Sequence, residues 1–156
     1  MTASPTVRVQ EAAFDLGTES ALLTAGREDV GGLASFVGLC RADDGLAALV
    51  LEHYPGMTER SIEAMIDMVI ARFGLNAARV IHRVGPLQPL DQIVLVAVTS
   101  AHRGSAFQGC EFLMDYLKTH APFWKKEQTP EGARWVDARV SDDVALAKWG
   151  IRASNA

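Results

Sequence analysis

The sequence lacks the features that identify several large classes of protein. Its 156 residues include only two cysteines, Cys40 and Cys110, and these show no spacing typical of a metal site. We therefore expect both to be buried thiols. No apolar run approaches the roughly 20 residues that a membrane-spanning helix needs. The N-terminal segment resembles neither a signal peptide nor a transit peptide. These absences predict a globular protein of the cytoplasm.

The basic excess of a nucleic-acid-binding protein is also missing, since the net charge is −4. The sequence contains no GxSxG, HExxH or Walker motif. Glu52 and His53 are adjacent and could suggest acid–base chemistry, but such a pair alone is a weak pattern. The chain therefore shows no activated nucleophile of its own.

The length predicts a single domain over residues 7–150, with a disordered segment at 1–6 and a tail at 151–156. Strands interleaved with helices predict an α/β fold with a partly antiparallel sheet. Strands are predicted at 7–14, 33–42, 46–54, 78–84, 93–100, 123–128 and 133–138, with the nearly all-apolar 93–100 at the centre. Helices are predicted at 15–24 and 59–73, from Ser105 to the residue before Pro122, and from Ser141 to Trp149. A loop is predicted at 85–91.

Local signals predict how these elements begin, end and connect. The turn Asp43-Asp44-Gly45 predicts a hairpin between the strands on either side of it. Thr58 is expected to cap the second helix, and Gly74 to end it. Ser105 and Gln108 have the spacing of a capping box at the start of the third helix.

Residues 99–127 reverse the acidic character of the chain. His102 and Arg103 precede a predicted helix N-terminus, where unpaired N–H groups and the helix dipole favour an anion. Arg103 adds a fork that can bind phosphate or carboxylate. The alternative is an ordinary helix start flanked by solvated side chains.

Lysines follow at the far end of the same helix. Lys118 is followed by Pro122, which turns the chain, and then by Lys125 and Lys126. Crowded cations lower one another's pKa, and such a lysine can transfer protons near neutral pH. Solvated lysines near a helix C-terminus are the alternative, which explains Lys118 better than the later pair. Arg41, at the end of its strand, is either a surface residue or part of the same pocket. The residues thus indicate an anion site whose nucleophile must arrive with a partner.

Between about Val7 and Trp149 the sequence contains, in this order, SFVGLCR, LEHYPGMTE, VIHRVGPL, VTSAHRGSAF, MDYLKTHAPFWKKE and TPEGARWV. These segments resemble the motifs of the large, catalytic subunit of molybdopterin synthase. The resemblance implies an α/β hammerhead fold with a mixed, largely antiparallel sheet and an added small β-hairpin subdomain. It also implies a homodimer that binds two small ubiquitin-like subunits ending in Gly-Gly. A thiocarboxylate on each small subunit supplies sulfur that converts cyclic pyranopterin monophosphate to the dithiolene of molybdopterin, with no metal or other cofactor.

The resemblance assigns roles residue by residue. Lys118 and Lys125 are implied to be catalytic, and the substrate is implied to be bound by Arg41, His102, Arg103 and Lys126. The sequence departs from the family at Leu39 and Cys40, where a lysine and a valine are frequent; the missing cation would weaken anion binding slightly. A non-catalytic anion-binding or scaffolding module of the same fold is the alternative. A nucleotide-dependent transferase acting alone is disfavoured, because no glycine loop that could cradle phosphates is present.

Overall fold

The computed structural model describes residues 6–42, 48–129, 132–136 and 147–150, with the backbone alone at 48, 126–129 and 132–136. Eleven elements lie within these ranges. In chain order they are β1 (Val7–Gln10), α1 (Leu16–Thr24), β2 (Gly32–Leu39), β3 (Ala48–His53), α2 (Met57–Phe73), β4 (Leu75–Arg83), β5 (Gly85–Leu87), β6 (Gln92–Ser100), α3 (Arg103–His120), β7 (Phe123–Thr129) and β8 (Gly132–Val136). None of these helices combines the length and apolarity that crossing a membrane requires.

The strands form two four-stranded sheets. The first sheet has the order β1-β4-β6-β2, and only its β1–β4 pair is parallel. The second sheet has the order β5-β3-β7-β8 and is antiparallel throughout. A mixed, largely antiparallel α/β architecture with a β7–β8 hairpin confirms the predicted fold class.

The core lies on both faces of the first sheet, and β6 contributes to each. Val94, Val96 and Val98 belong to the cluster that includes the buried faces of α2 and α3. Leu95 and Ala97 point the other way, into a smaller cluster with residues of α1 and the segment before it. Successive side chains of a strand alternate between faces, so a strand covered on both sides is apolar throughout. The predicted central position of this strand is confirmed.

The predicted hairpin between β2 and β3 is wrong. β2 pairs along its length with β6, from Gly32 opposite Ser100 to Leu39 opposite Gln92. β3 instead pairs with β5 and β7 in the second sheet. The turn itself, at 43–47, lies outside the described residues. A turn signal reverses the chain locally, but burial of whole faces decides which strands pair. β5 also occupies part of the segment predicted as a loop, where it provides an edge for β3.

The second helix begins earlier than predicted. Gly56 occupies the N-cap position with φ of +83°, and its N–H donates to Glu59 Oε2 over 2.7 Å. Thr58 therefore lies inside the first turn and caps nothing. The helix ends at Gly74, which is left-handed with φ of +64°, as predicted.

The third helix also begins early, at Arg103, and the predicted capping box at Ser105 is wrong. His102 is its N-cap residue and makes no capping bond through its side chain. The N–H of His102 donates instead to Ser100 Oγ at the end of β6, over 3.4 Å. The residue that begins this helix is therefore held by a hydrogen bond to the last residue of β6.

The first predicted strand and the last predicted helix compare differently with the structure. β1 stops at Gln10 rather than at residue 14, because Phe14 turns into the cluster beside α1. The Asp15 side chain then caps α1 by accepting from the Thr18 N–H over 2.7 Å. Most of the last predicted helix lies outside the described residues, but Trp149 Nε1 donates to Asp115 Oδ2 over 2.7 Å.

Candidate active site

The lysines predicted to be catalytic flank the connection between α3 and β7. Lys118 is exposed in the last turn of α3, and Lys125 is half-buried in β7, opposite Leu51 of β3. The helix ends because Ala121 adopts an extended conformation and Pro122 follows, so the chain reverses within a few residues. We call residues 118–125 the lysine junction.

Three successive residues of the lysine junction are each held by a different side chain. The carbonyl of Pro122 accepts a hydrogen bond from the fully buried Thr58 hydroxyl over 3.0 Å. Thr58 Oγ1 in turn accepts from the Tyr54 N–H, also over 3.0 Å. The ring of Phe123 stacks on His82 of β4, with centroids 3.8 Å apart and planes inclined by 17°. Trp124 meets the ring of Tyr54 edge-on, at 4.2 Å. Contacts from α2, from β4 and from the segment between β3 and α2 thus fix the path between the two lysines.

His82 lies within the electrostatic reach of both lysines. The pKa of His82 is lowered to about 4, mainly by burial and to a smaller extent by the charges of Lys118, Lys125 and His53. A hydrogen bond to the Arg83 carbonyl opposes this shift but does not overcome it. Lys118 and Lys125 come from different elements, and the charges of both act on this one imidazole.

Arg41 lies at the same end of the first sheet. Leu39 at the end of β2 is opposite Gln92, and His82 near the end of β4 is opposite Val94. The ends of β2 and β4 therefore both lie beside the start of β6, at one end of the sheet. Arg41 is exposed two residues beyond Leu39. Its predicted place in the lysine pocket is compatible with this register.

His102 and Arg103 lie at the opposite end of α3. Both are exposed, and a side chain added at Gly32 would meet the Arg103 backbone at 3.6 Å, which places this end over the start of β2. Fifteen residue steps at a rise of 1.5 Å separate Arg103 from Lys118, or about 22 Å along the helix axis. A single copy of the chain therefore does not gather the predicted cations into one pocket, because a straight helix holds its ends apart.

Lys126 follows in β7, where its backbone is opposite Val50 of β3. Its side chain lies outside the described part of the structure, so its predicted role in substrate binding stays a prediction.

A family model described as MoaE protein matches residues 9–120. The chain belongs to the MoaE family. It is 61% identical over 155 residues to the molybdopterin synthase catalytic subunit of Ralstonia nicotianae, which covers 97% of this chain and 88% of the relative.

Solved structures agree with this assignment. The molybdopterin biosynthesis MoaE protein from Burkholderia ambifaria superposes with a TM-score of 0.83 at 54% identity, covering 96% of this chain and 100% of that one. A Helicobacter pylori structure, a protein–protein complex of subunits 1 and 2 of molybdopterin-converting factor, has a TM-score of 0.70 at 18% identity, covering 86% and 92% of the two chains. This more distant likeness shows the shared fold alone.

The two cysteines of this MoaE family member are buried, as predicted. Cys40 is 2% exposed just beyond β2, and Cys110 is 7% exposed on α3. Burial raises the pKa of the Cys110 thiol to about 11, and the charge of Glu111 adds to the shift. A thiol with this pKa is almost wholly protonated at neutral pH and is a poor nucleophile. Within the described ranges, no group of three His, Cys, Asp or Glu side chains could hold a metal ion.

The sequence does not predict the residues that hold the lysine junction. It predicts a helix cap at Thr58, and it gives no role to His82, although His82 lies in one of the motifs of the family resemblance. Strand alternation could have found His82: Ala78 and Val80 face the cluster that contains α2 and α3, and His82 follows with the same period. A histidine on the helix-covered face of a strand is a polar group that needs an explanation.

Proposed function

We propose that this chain is the catalytic subunit of a molybdopterin synthase. It takes sulfur from the C-terminal thiocarboxylate of a small ubiquitin-like subunit ending in Gly-Gly. It transfers that sulfur to cyclic pyranopterin monophosphate, forming the dithiolene of molybdopterin. The observation that carries the proposal is the lysine junction: two lysines from separate elements flank one reversal of the chain, and neither buried cysteine is an available nucleophile. Membership of a family whose relatives bear the name of this catalytic subunit supports it.

The lysines suit the chemistry of sulfur transfer. Attack on an acyl group and opening of a cyclic phosphate both develop negative charge on oxygen. Cations fixed beside that charge stabilise the transition state, and an amine can also move a proton. We assign these roles to Lys118 and Lys125, and we place Arg41 beside them as a substrate-binding cation. Lys126 is assigned to the substrate site by family resemblance alone.

The phosphate subsite is proposed to be shared between two copies of the chain. The substrate is far smaller than the roughly 22 Å between the ends of α3, so His102 and Arg103 cannot reach a substrate held at the lysines of the same copy. Phe107, one helical turn beyond Arg103, is 66% exposed, which suits a protein contact beside this pair. A homodimer that binds two small subunits would bring the opposite ends of two α3 helices to one site.

The remaining parts of the proposal concern organisation and location. Residues 7–150 are taken as one catalytic domain, which needs no metal or other cofactor because the partner supplies the sulfur. Both cysteines are thiols buried in the protein, which suits the reducing environment of the cytoplasm.

Reconstitution from purified components tests the proposal. The chain, a thiocarboxylated small subunit and cyclic pyranopterin monophosphate should together yield dithiolene product, measured after oxidation to a fluorescent pterin. The chain and the substrate, supplied with free sulfide in place of the small subunit, should yield none. Product formation from sulfide at the rate of the complete mixture would contradict the partner-dependent mechanism. A complex that assembles and binds substrate without turnover would instead indicate the scaffolding alternative.

A further inference from the structure

The segment that leads into β2, residues 27–32, lies against the start of α3, and we call it the lead-in segment. The Gly31 N–H donates to the Ser100 carbonyl oxygen over 2.9 Å. A Cβ atom added at Gly31 would stand only 2.0 Å from the carbonyl oxygen of Ala101, which is closer than any side chain can approach. Gly31 is not one of the glycines with a positive φ. Glycine is therefore required here by the close approach of another backbone.

The lead-in segment also meets the pair of cations proposed to bind the substrate phosphate. A Cβ atom added at Gly32 would lie 3.6 Å from the Arg103 Cα atom. The N–H of His102 donates to the hydroxyl of Ser100, the residue whose carbonyl accepts from Gly31. The backbone that carries the two cations is thus confined between the end of β6 and the lead-in segment.

Three polar side chains join the lead-in segment to the start of β4. Asp29 accepts two hydrogen bonds from Arg27, from Nε over 3.3 Å and from Nη2 over 3.1 Å. Arg27 Nη1 donates to the Asn76 carbonyl over 3.1 Å, and Asn76 Nδ2 donates to Asp29 Oδ2 over 3.1 Å. The hydrogen bond from Arg27 lowers the pKa of Asp29, so this carboxylate is ionised at neutral pH. A single surface ion pair contributes little, but a two-point arginine–carboxylate pair inside a network holds a defined geometry.

We propose that the lead-in segment positions His102 and Arg103 for the substrate phosphate, with Asp29 and Gly31 as its positioning residues. Gly31 lets the backbone before the two cations approach closely, and the network at Asp29 holds the segment in place. This role rests on the proposed function, in which the two exposed cations bind phosphate. Asp29 and Gly31 act on the substrate only through the backbone at 101–103.

The affinity of the assembled complex for its substrate tests this role. The small subunit is used in its carboxylate form, so that cyclic pyranopterin monophosphate binds without turnover and calorimetry gives Kd. Gly31→Ala should weaken binding about tenfold, the lower end of the loss expected for one charged hydrogen bond. Asp29→Ala should weaken it about threefold, because the network it removes is exposed. With the thiocarboxylated subunit and saturating substrate, kcat should stay within about twofold of the wild type in both variants.

Two matched controls make the same kinds of change in α1. Gly17→Ala adds a Cβ atom whose nearest neighbour is Asp15 Oδ1 at 3.4 Å, an ordinary contact distance. Asp15→Ala removes an exposed carboxylate that accepts the Thr18 N–H over 2.7 Å. Both controls should bind the substrate within about twofold of the wild type, although Asp15→Ala loses a helix cap. Weaker binding in Gly31→Ala and Asp29→Ala is then not a consequence of lower stability alone.

A double variant separates positioning from an effect elsewhere. If Gly31 acts through the two cations, adding Gly31→Ala to Arg103→Ala should weaken binding less than the same change does in the wild type. An equal effect in both backgrounds, or an unchanged Kd in either Gly31→Ala or Asp29→Ala, would overturn the proposal. Asp29→Ala changes exposed atoms only and decides the matter if Gly31→Ala does not fold.

Backbone NMR of the full chain tests the positioning without the substrate. The amide signals of His102 and Arg103 should shift in Asp29→Ala and stay in place in Asp15→Ala. Signals that stay in place in Asp29→Ala would contradict the proposal. A wild-type complex that does not bind the substrate would count against the proposed function instead, and the amide signals would still decide whether the lead-in segment positions this pair.

Discussion

The two ends of α3 carry cations in very different settings. At the C-terminal end, the chain beyond Lys118 is held by a buried hydroxyl, a stacked imidazole and an aromatic edge, which belong to α2, β4 and the segment between β3 and α2. At the N-terminal end, His102 and Arg103 are exposed, and the helix begins without a side-chain cap.

This difference suits the C-terminal end of α3 to catalysis and the N-terminal end to substrate binding. Groups that act on a transition state must be held in a fixed geometry, and tertiary contacts provide that at the lysine junction. Exposed cations at a helix N-terminus attract an anion without being fixed, and a second copy of the chain can order them when it binds. The predictions below test this division, beginning with the largest expected effect.

Lys118→Ala should give the largest loss. Removing a general acid or base typically lowers kcat by about 10²–10⁴-fold, and the complex with the small subunit should still assemble. Lys148→Ala is the control, because Lys148 is also an exposed lysine but pairs with Glu111 on α3. Lys118→Arg should not restore turnover, since a guanidinium keeps the charge but does not exchange its proton readily. Full activity of that variant would show that charge alone is sufficient. Single-turnover kinetics would measure each case.

Arg103→Ala should weaken substrate binding and leave the chemistry intact. The loss of one charged hydrogen bond costs about 1.5–3 kcal/mol, or roughly tenfold to a hundredfold in affinity, measured by calorimetry with the substrate. The affinity for the small subunit should not change; an equal fall in both would place Arg103 in the protein interface.

A mixed dimer sharpens the comparison further. One copy with Lys118→Ala and one with Arg103→Ala together contain one site with both defects and one site with neither, provided that the site is shared. At a substrate concentration too low to saturate the Arg103→Ala variant, such a mixed dimer should recover close to half of the wild-type turnover. Recovery no better than the Arg103→Ala homodimer would contradict a site built from two copies.

Thr58→Val tests how the lysine junction is held. The change preserves shape but leaves the Tyr54 N–H and the Pro122 carbonyl without their hydroxyl partner. We expect the free energy of unfolding to fall by about 1–3 kcal/mol, measured by urea denaturation, with kcat reduced severalfold. Thr58→Ser retains the hydroxyl and should lie between Thr58→Val and the wild type. A Thr58→Val variant with unchanged kcat would show that the junction holds its geometry without this bond.

Replacing both cysteines should have the smallest effect on turnover. Cys40 and Cys110 are buried, and the raised pKa of Cys110 keeps it protonated until the pH nears about 11. The native protein should therefore resist alkylation by iodoacetamide at pH 8, and a Cys40→Ala, Cys110→Ala double variant should retain most of its activity. Rapid alkylation that abolishes turnover would assign a thiol to the mechanism.

The elements with strong internal periodicity were predictable from the sequence. The apolar strand at Gln92–Ser100, the amphipathic α2 and the glycine that ends it all follow from local patterning. Helix starts were less predictable, because Thr58 and Ser105 both have the chemistry of a cap. Whether a hydroxyl caps its own helix depends on what else lies within reach. The Thr58 hydroxyl donates to the Pro122 carbonyl, which is 64 residues away along the chain.

By itself, the sequence determined which side chains could bind an anion, that no activated nucleophile accompanied them, and the fold class. Only the tertiary structure decided that β2 and β3 separate into different sheets, that His82 stacks on Phe123, and that His102 and Arg103 lie at the far end of α3 from the lysines. The physical reason is the range of each interaction. Periodicity and turn chemistry act over a few neighbouring residues, whereas strand partners and side-chain contacts are chosen by the burial of whole faces.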